Sequence, residues 1–352
     1  MRRPFLALLL LALFAHPAAA AAVGERHLVA YESAATLRDS AHRDTVRVTV
    51  WYQAASDAVE RPLTIGPFFR AALAAPDAAF ADARRRAVIL LSHGFGGTAR
   101  IMAWFGTALA RHGYVVIAVD HPGNNAIDPM TVGGAVMFWE RPKDLAAALA
   151  AVEANPVIAP HLDPHRLGVA GFSAGGFTSL TASGARVDLK RFLAFCAAHP
   201  DDGVCAPQKE FAVTQAEVDR FVAQPAIAQA VARAGDDRAI PGVSAVYVMA
   251  PSLIQSLDPA SLHRLHLPVG IILGDADRVA PPATNGEVAA AAIPGARLRI
   301  LPGVGHYDFL AECTPAGDAA FARCRTRVPR AGTHAAAIHD ALALFDAALG
   351  GP

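Results

Sequence analysis

Short runs of apolar, often β-branched residues alternate along this chain with longer Ala/Leu-rich stretches. Continuous apolar runs are typical of parallel strands buried on both faces, and the Ala/Leu-rich stretches are typical of helices. The alternation therefore predicts an α/β fold with a mostly parallel central sheet and helices on both faces. The expected strands are Thr45–Trp51, Ala87–Leu91, Val115–Val119, Gly168–Phe172, Ser244–Met249, Val269–Leu273 and Leu298–Leu301. The expected helices are Ile101–Ala110, Lys143–Ala154, Ala174–Ala182, Gly286–Ala292 and Ala335–Leu349.

Two segments interrupt this alternation. Residues 62–86 are rich in Ala and Pro, and we expect a surface excursion before the first central strand. Residues 186–242 carry helical patches and two of the cysteines, and we expect an insertion within one domain that spans residues 23–352. Because the insertion starts at the sheet edge opposite the strand C-termini, both a lid over a site and a brace beside it remain open.

The overall composition favours one large folded domain and a neutral partner. The 352 residues carry no net formal charge and are 53% hydrophobic, which is enough to bury a sizeable core. The chain contains no long block of Lys and Arg, so the sequence favours neither nucleic acid nor an anionic surface as a partner. A small neutral molecule is the expected ligand class.

Residues 1–22 have the pattern of an export signal. Arg2 and Arg3 supply positive charge, Phe5–Phe14 is an apolar run, and Ala18–Ala22 offers small-residue cleavage sites. A run of this length is too short to span a membrane, which takes about 20 residues. We therefore expect an exported protein, periplasmic or extracellular, with no stable membrane anchor.

All four cysteines lie after this segment. An even number of cysteines in an oxidising compartment predicts two disulfides, and pairing of neighbours is the simplest connectivity. Buried free thiols are the alternative, whereas a metal site is disfavoured because no CxxC spacing is present. The expected pairs are Cys196 with Cys205 and Cys313 with Cys324.

One serine has the sequence context of a nucleophile. Ser173 is the centre of Gly171-Phe172-Ser173-Ala174-Gly175, which directly follows an expected strand and directly precedes an expected helix. A G-x-S-x-G turn in this context is tight and strained, and it presents the serine hydroxyl beside a helix N-terminus. A plain Gly-rich turn is the structural alternative.

A second glycine-rich loop follows the first central strand. It reads Ser92-His93-Gly94-Phe95-Gly96-Gly97, and its glycines allow the backbone to approach a ligand closely. The backbone N–H groups of Phe95 and Ala174 are the candidates for an oxyanion hole. An ordinary strand-to-helix loop is the alternative, and the position of this loop before the serine motif favours the oxyanion hole.

Two later loops supply a candidate acid and a candidate base. Asp275 and Asp277 both follow the strand Val269–Leu273, and either could instead cap the following helix or form an Asx-turn. His306 follows the last expected strand and completes the chain order Ser, Asp, His. His121 also follows a strand and is a candidate for the mouth of the site, but it precedes the serine.

Together these motifs resemble the α/β-hydrolase superfamily. The narrower likeness is to the group of platelet-activating-factor acetylhydrolases and dienelactone-hydrolase-like esterases, which has exported polyester-cleaving relatives. It covers about residues 47–310 and lies mainly in Trp51-Tyr52-Gln53-Ala54, in residues 92–121 and in Gly171-Phe172-Ser173-Ala174-Gly175-Gly176-Phe177. The resemblance implies an α/β-hydrolase fold and a catalytic acid at Asp277, the last Asp of a Gly-x-x-Asp-x-x-x-Pro turn. Dienelactone hydrolases proper carry a cysteine where this chain has Ser173, so their substrate is not expected.

The resemblance implies a serine esterase whose triad is Ser173, His306 and Asp277 and which needs no metal or organic cofactor. The segment between residues 250 and 267 is too short for a large cap, so an open cleft and a small, lipid or polymeric ester substrate are expected. A peptidase or an acyltransferase could use the same triad. A non-catalytic secreted binding protein on this scaffold is the alternative from a different class.

Overall fold

A ten-stranded sheet forms the centre of the protein in a computed structural model, which describes residues 21–351. The proposed export signal therefore lies outside the described residues, apart from its last two positions. The strand order is β10-β9-β8-β7-β5-β6-β2-β1-β4-β3. The strands are β1 Val23–Tyr31, β2 Thr45–Gln53, β3 Arg61–Pro62, β4 Leu73–Pro76, β5 Arg86–Ser92, β6 Val115–Asp120, β7 Leu162–Phe172, β8 Val243–Met249, β9 Val269–Gly274 and β10 Arg297–Leu301.

Six neighbouring strands, from β10 to β6, run parallel, whereas β2 pairs antiparallel with β6 and with β1. Consequently the C-terminal ends of β5, β6, β7, β8, β9 and β10 meet at one edge of the sheet. This edge is where open α/β sheets bind their ligands. The predicted fold class is confirmed.

Helices cover both faces of the sheet. The side chains of a central strand alternate between the faces: in β6, Val115, Ile117 and Val119 contribute to one core, and Val116 and Ala118 to the other. The first core is covered by α3 and α4, and the second by α1 and α11. The helices are α1 Ala103–His112, α2 Val132–Val136, α3 Arg141–Glu153, α4 Ala174–Ala182, α5 Leu189–Ala198, α6 Gln215–Val222, α7 Pro225–Ala232, α8 Pro259–His263, α9 Gly286–Ala292, α10 Pro315–Ala320 and α11 Arg330–Leu349.

The segment 62–86 is more than the expected surface excursion. Within it, β4 pairs in parallel with β1, and Ala74 and Ala75 are buried. The sequence analysis did not predict β1 or β4. Both lie at the end of the sheet beyond β2, where β4 is short and Ala-rich and where strand pairing rather than local propensity sets the conformation.

The segment 186–242 contains α5, α6 and α7, and its cysteines form the disulfide Cys196–Cys205. The second disulfide, Cys313–Cys324, spans α10. The structure thus contains both disulfides, with the expected pairing of neighbours. Among residues 21–351, no helix has the length and apolar character needed to cross a membrane.

Candidate active site

Ser173 lies on a sharp turn between β7 and α4, as its motif predicts. Its backbone has φ 56° and ψ −121°, in the left-handed half of conformational space that L-residues rarely adopt. Two positions before and after the serine, only glycine fits: a Cβ on Gly171 would lie 2.1 Å from the carbonyl oxygen of Gly175, and a Cβ on Gly175 would lie 2.0 Å from that of Ser92. The turn therefore presents the serine hydroxyl at the C-terminal edge of the sheet.

Ser173, His306 and Asp277 form a continuous chain of hydrogen bonds. His306 Nε2 lies 2.8 Å from Ser173 Oγ, and His306 Nδ1 lies 2.6 Å from Asp277 Oδ2. Since a carboxylate can only accept, the histidine donates its Nδ1–H to Asp277, and Nε2 accepts the serine proton. The three residues are only 5–6% exposed. In this geometry the histidine can take the serine proton during a nucleophilic attack.

The two competing aspartates have separate partners. Asp277 also accepts the N–H groups of Val279 and Ala280 through Oδ1, at 2.8 Å each, so it forms an Asx-turn and holds His306 at the same time. Asp275 Oδ1 accepts the N–H of Gly303 at 2.6 Å and thereby joins the loop after β9 to the loop after β10. Asp275 thus contacts neither His306 nor the following helix.

Two backbone N–H groups near Ser173 have no protein acceptor among the described residues. These are the N–H groups of Phe95 and Ala174. Ala174 is the first residue of α4, where N–H groups have no partner within the helix. Phe95 and Ser173 line the same cavity. Both N–H groups are therefore available to a negatively charged oxygen.

A buried polar network lies behind the Phe95 loop. Ser92 Oγ donates to His121 Nε2 at 2.9 Å, and His121 Nδ1 donates to Asp144 Oδ2 at 2.7 Å. Arg38 contacts both oxygens of Asp144, at 2.8 and 2.7 Å. Burial lowers the pKa of His121 to about 3, so the ring is neutral at pH 7. His121 is fully buried, so the expectation that it lies at the mouth of the site is wrong.

The cavity above Ser173 has a volume of about 1020 Å³. The short segment 250–267 does not line the cavity. Besides residues of the early strands and of the loops around Phe95 and Ser173, the lining includes residues 64–69, residues 208–210 of the segment 186–242, and residues 321–323 beside the second disulfide. The cleft is therefore walled on several sides, and its apolar lining includes Ile65, Phe68, Phe69, Phe172, Leu310 and Phe321.

The carboxylate of Glu210 joins two of these lining segments, residues 208–210 and residues 321–323. Glu210 accepts the hydroxyl of Tyr307 at 3.0 Å and Nη1 of Arg323 at 3.2 Å. Burial and the neighbouring Glu210 raise the pKa of Tyr307, which therefore stays protonated and donates. The sequence analysis did not single out these three residues. Only Tyr307 carried a signal, its position next to His306.

The insertion is both a wall and a brace. Residues 203–210 reach the site: a Cβ on Gly203 would lie 2.2 Å from the carbonyl oxygen of Arg278, next to the Asp277 turn. Farther along the insertion, Arg238 pairs with Glu140 at 2.9 Å, at the start of α3. One part of the segment 186–242 thus lines the cavity and another braces α3, whereas the lid that the sequence left open stays a prediction.

The comparisons with known proteins agree with this architecture. A family model described as "PET hydrolase-like" matches residues 78–217. Cutinase est2 of Thermobifida alba is 36% identical over 104 residues, which are 29% of this chain and 31% of that protein. Cutinase cut1 of Thermobifida fusca is 34% identical over 104 residues, 29% of this chain and 30% of that protein. The chain thus spans about a third of the length of these relatives.

The fold is also similar to a solved structure, the ferulic acid esterase from Streptomyces cinnamoneus, with a TM-score of 0.58. The match covers 96% of this chain and 92% of the esterase chain. At 21% sequence identity this likeness establishes the fold. The family model matches the segment that carries the serine turn, and the fold extends over almost the whole chain. The protein therefore has the α/β-hydrolase fold.

Proposed function

We propose that this protein is a serine hydrolase that cleaves carboxylic esters through an acyl-enzyme. The observation that carries the proposal is the hydrogen-bonded chain of Ser173, His306 and Asp277 next to two unpartnered N–H groups. His306 takes the proton from Ser173 as the serine oxygen attacks the ester carbonyl. The N–H groups of Phe95 and Ala174 stabilise the oxyanion, where one such donor contributes about 3–4 kcal/mol.

The second half of the reaction uses the same groups. His306 gives its proton to the leaving alcohol. It then removes a proton from a water molecule that attacks the acyl-enzyme and passes this proton to the Ser173 oxygen as the acid leaves. The residues that carry out these steps are all protein side chains and backbone groups, so the proposed reaction uses no metal or organic cofactor. The products are a carboxylic acid, an alcohol and the free serine.

The cavity supports an ester with a sizeable apolar part. It is lined mainly by aliphatic and aromatic side chains, and it is large enough for a lipid-like chain or one repeat of a polyester. The names cutinase and ferulic acid esterase, carried by the similar proteins, support an ester rather than a peptide substrate.

We also propose that the protein is exported to the periplasm or the extracellular space. Both disulfides support an oxidising compartment, because cytosolic thiols are kept reduced. The positively charged and apolar start of the sequence supports export as well. Determination of the N-terminus of the native protein tests this: cleavage near residues 21–23 is expected, and an intact Met1 would contradict it.

The direct test of function is a substrate panel with and without Ser173. Wild-type protein should hydrolyse chromogenic esters much faster than matched peptide amides and should react covalently with a fluorophosphonate. Ser173→Ala should stay folded by circular dichroism, lose the label and lose about 10⁴-fold or more in kcat. Ser183→Ala, at the end of the same helix, is the matched control and should keep its activity. A folded Ser173→Ala variant that retains a tenth of wild-type kcat would refute the proposal.

A further inference from the structure

A buried arginine connects the two halves of the site. Arg141, the first residue of α3, is 2% exposed. No carboxylate hydrogen-bonds to it among the described residues; its bonds go to neutral acceptors. A buried guanidinium is costly unless its donors are satisfied in a fixed geometry. Its position therefore calls for an explanation beyond packing.

One side of the guanidinium holds the Phe95 loop. Nη2 of Arg141 donates to the carbonyl oxygen of His93 and, at 3.3 Å, to Ser92 Oγ. Nη1 donates at 3.0 Å to Asn124 Oδ1, and the same oxygen accepts the N–H of Gly96 at 3.2 Å. The backbone groups on both sides of Phe95 are thus fixed directly or through one side chain.

The other side of the guanidinium holds the nucleophile helix. Nε of Arg141 donates to Thr178 Oγ1 at 3.0 Å, and Thr178 Oγ1 donates to the carbonyl oxygen of Ala174 at 2.8 Å. Two hydrogen bonds therefore link the arginine to one proposed oxyanion donor residue, Ala174. The bonds to His93 and Asn124 link it to the other, Phe95.

We propose that Arg141 is a positioning residue that sets the separation of the Phe95 and Ala174 N–H groups. The inference rests on the proposed function, because it concerns the oxyanion hole of that reaction. The planar fork of an arginine holds several acceptors in one fixed arrangement, whereas a lysine ammonium cannot. Displacement of either N–H group weakens stabilisation of the tetrahedral intermediate and leaves binding of the neutral ester almost unchanged.

The first test replaces each of two buried arginines by lysine, which keeps the positive charge but removes the planar guanidinium. Arg141→Lys should lower kcat by about 10²-fold, the effect of losing one oxyanion donor, with little change in KM. Its affinity for a trifluoromethyl ketone, which forms a tetrahedral adduct, should fall by a similar factor. Arg86→Lys, at an equally buried arginine at the start of β5 that bonds to Gln53 and Asp82, should keep kcat near the wild-type value.

A second pair of variants covers the case in which Arg141→Lys does not fold. Thr178→Val removes the hydroxyl that accepts from Arg141, and Thr181→Val removes a similarly buried hydroxyl of the same helix that bonds only to helix carbonyls. The proposal expects Thr178→Val alone to lower kcat at unchanged KM.

The outcomes separate the two proposals. If wild-type protein hydrolyses esters and the members of each pair lose activity equally, in proportion to their loss of stability, Arg141 is merely structural and the inference is overturned. If wild-type protein hydrolyses no ester, the proposed function fails and the inference fails with it.

Discussion

At the level of single residues, Asp275 and Asp277 have different hydrogen-bond partners, and only Asp277 binds His306. The two side chains are only two positions apart, yet one binds His306 and the other binds the backbone of Gly303. Asp277 uses one oxygen for the histidine and the other for its own turn, so the turn holds the carboxylate in place.

Substitution of each aspartate by asparagine should therefore give unequal effects. Asp277→Asn should lower kcat by about 10⁴-fold, because the amide favours the wrong tautomer of His306. Asp275→Asn should be nearly neutral, because an amide oxygen can still accept the N–H of Gly303. Steady-state kinetics of the two variants measure the difference. An inactive Asp275→Asn beside a normal Asp277→Asn would show that the assigned acid is wrong.

At the scale of secondary-structure elements, the cavity walls depend on cross-linked connections. The wall segment 203–210 begins inside the loop closed by Cys196–Cys205, and it is joined at Glu210 to Arg323, inside the loop closed by Cys313–Cys324. Each disulfide closes a loop of about ten residues. In the chain-entropy model such a cross-link stabilises the fold by roughly 2–3 kcal/mol.

Removal of the first disulfide should loosen one wall without touching the proposed triad. The double variant Cys196→Ser/Cys205→Ser should lose roughly 2–3 kcal/mol of unfolding free energy in denaturant titrations. KM for a bulky ester should rise, while KM and kcat for a small acetate ester serve as the internal control and should change little. An equal loss on both substrates would mean that the segment supports the whole site rather than one wall.

At the scale of the whole molecule, buried neutral histidines make stability depend on pH. Burial lowers the pKa of His121 to about 3 and that of His334 to about 4, and it also keeps the pKa of His93 well below its usual value. The unfolded chain protonates these rings near pH 6.5 and the folded chain does not. Stability therefore falls as the pH drops from about 6.5 towards 4.

This effect can be measured one histidine at a time. Between pH 7 and 5 the unfolding free energy should fall, with a limiting slope of about 1.4 kcal/mol per pH unit for each histidine. His334→Gln should reduce the slope by up to one proton, and its amide can still donate to the carbonyl oxygen of Leu310. Burial raises the pKa of Asp120 and opposes the trend at the acid end. Stability that stays flat or rises between pH 7 and 5 would contradict this account.

The central fold and the positions of the proposed catalytic groups follow from local patterns in the amino-acid sequence. Buried parallel strands and helices have local patterns, so strands such as Val115–Asp120 were predicted within one or two residues. The motifs that follow these strands meet in space because the C-terminal ends of parallel strands share one edge. Ser173 and His306 could thus be named from chain order and context.

The folded structure was needed to distinguish the two aspartates at His306, to place β4 in the sheet, and to place Glu210 and Arg141 beside the site. These features depend on contacts between residues far apart in the chain, such as Arg141 with His93 and Glu210 with Arg323. No local pattern encodes such a contact, because it depends on the direction in which each side chain points after the helices have packed on the sheet.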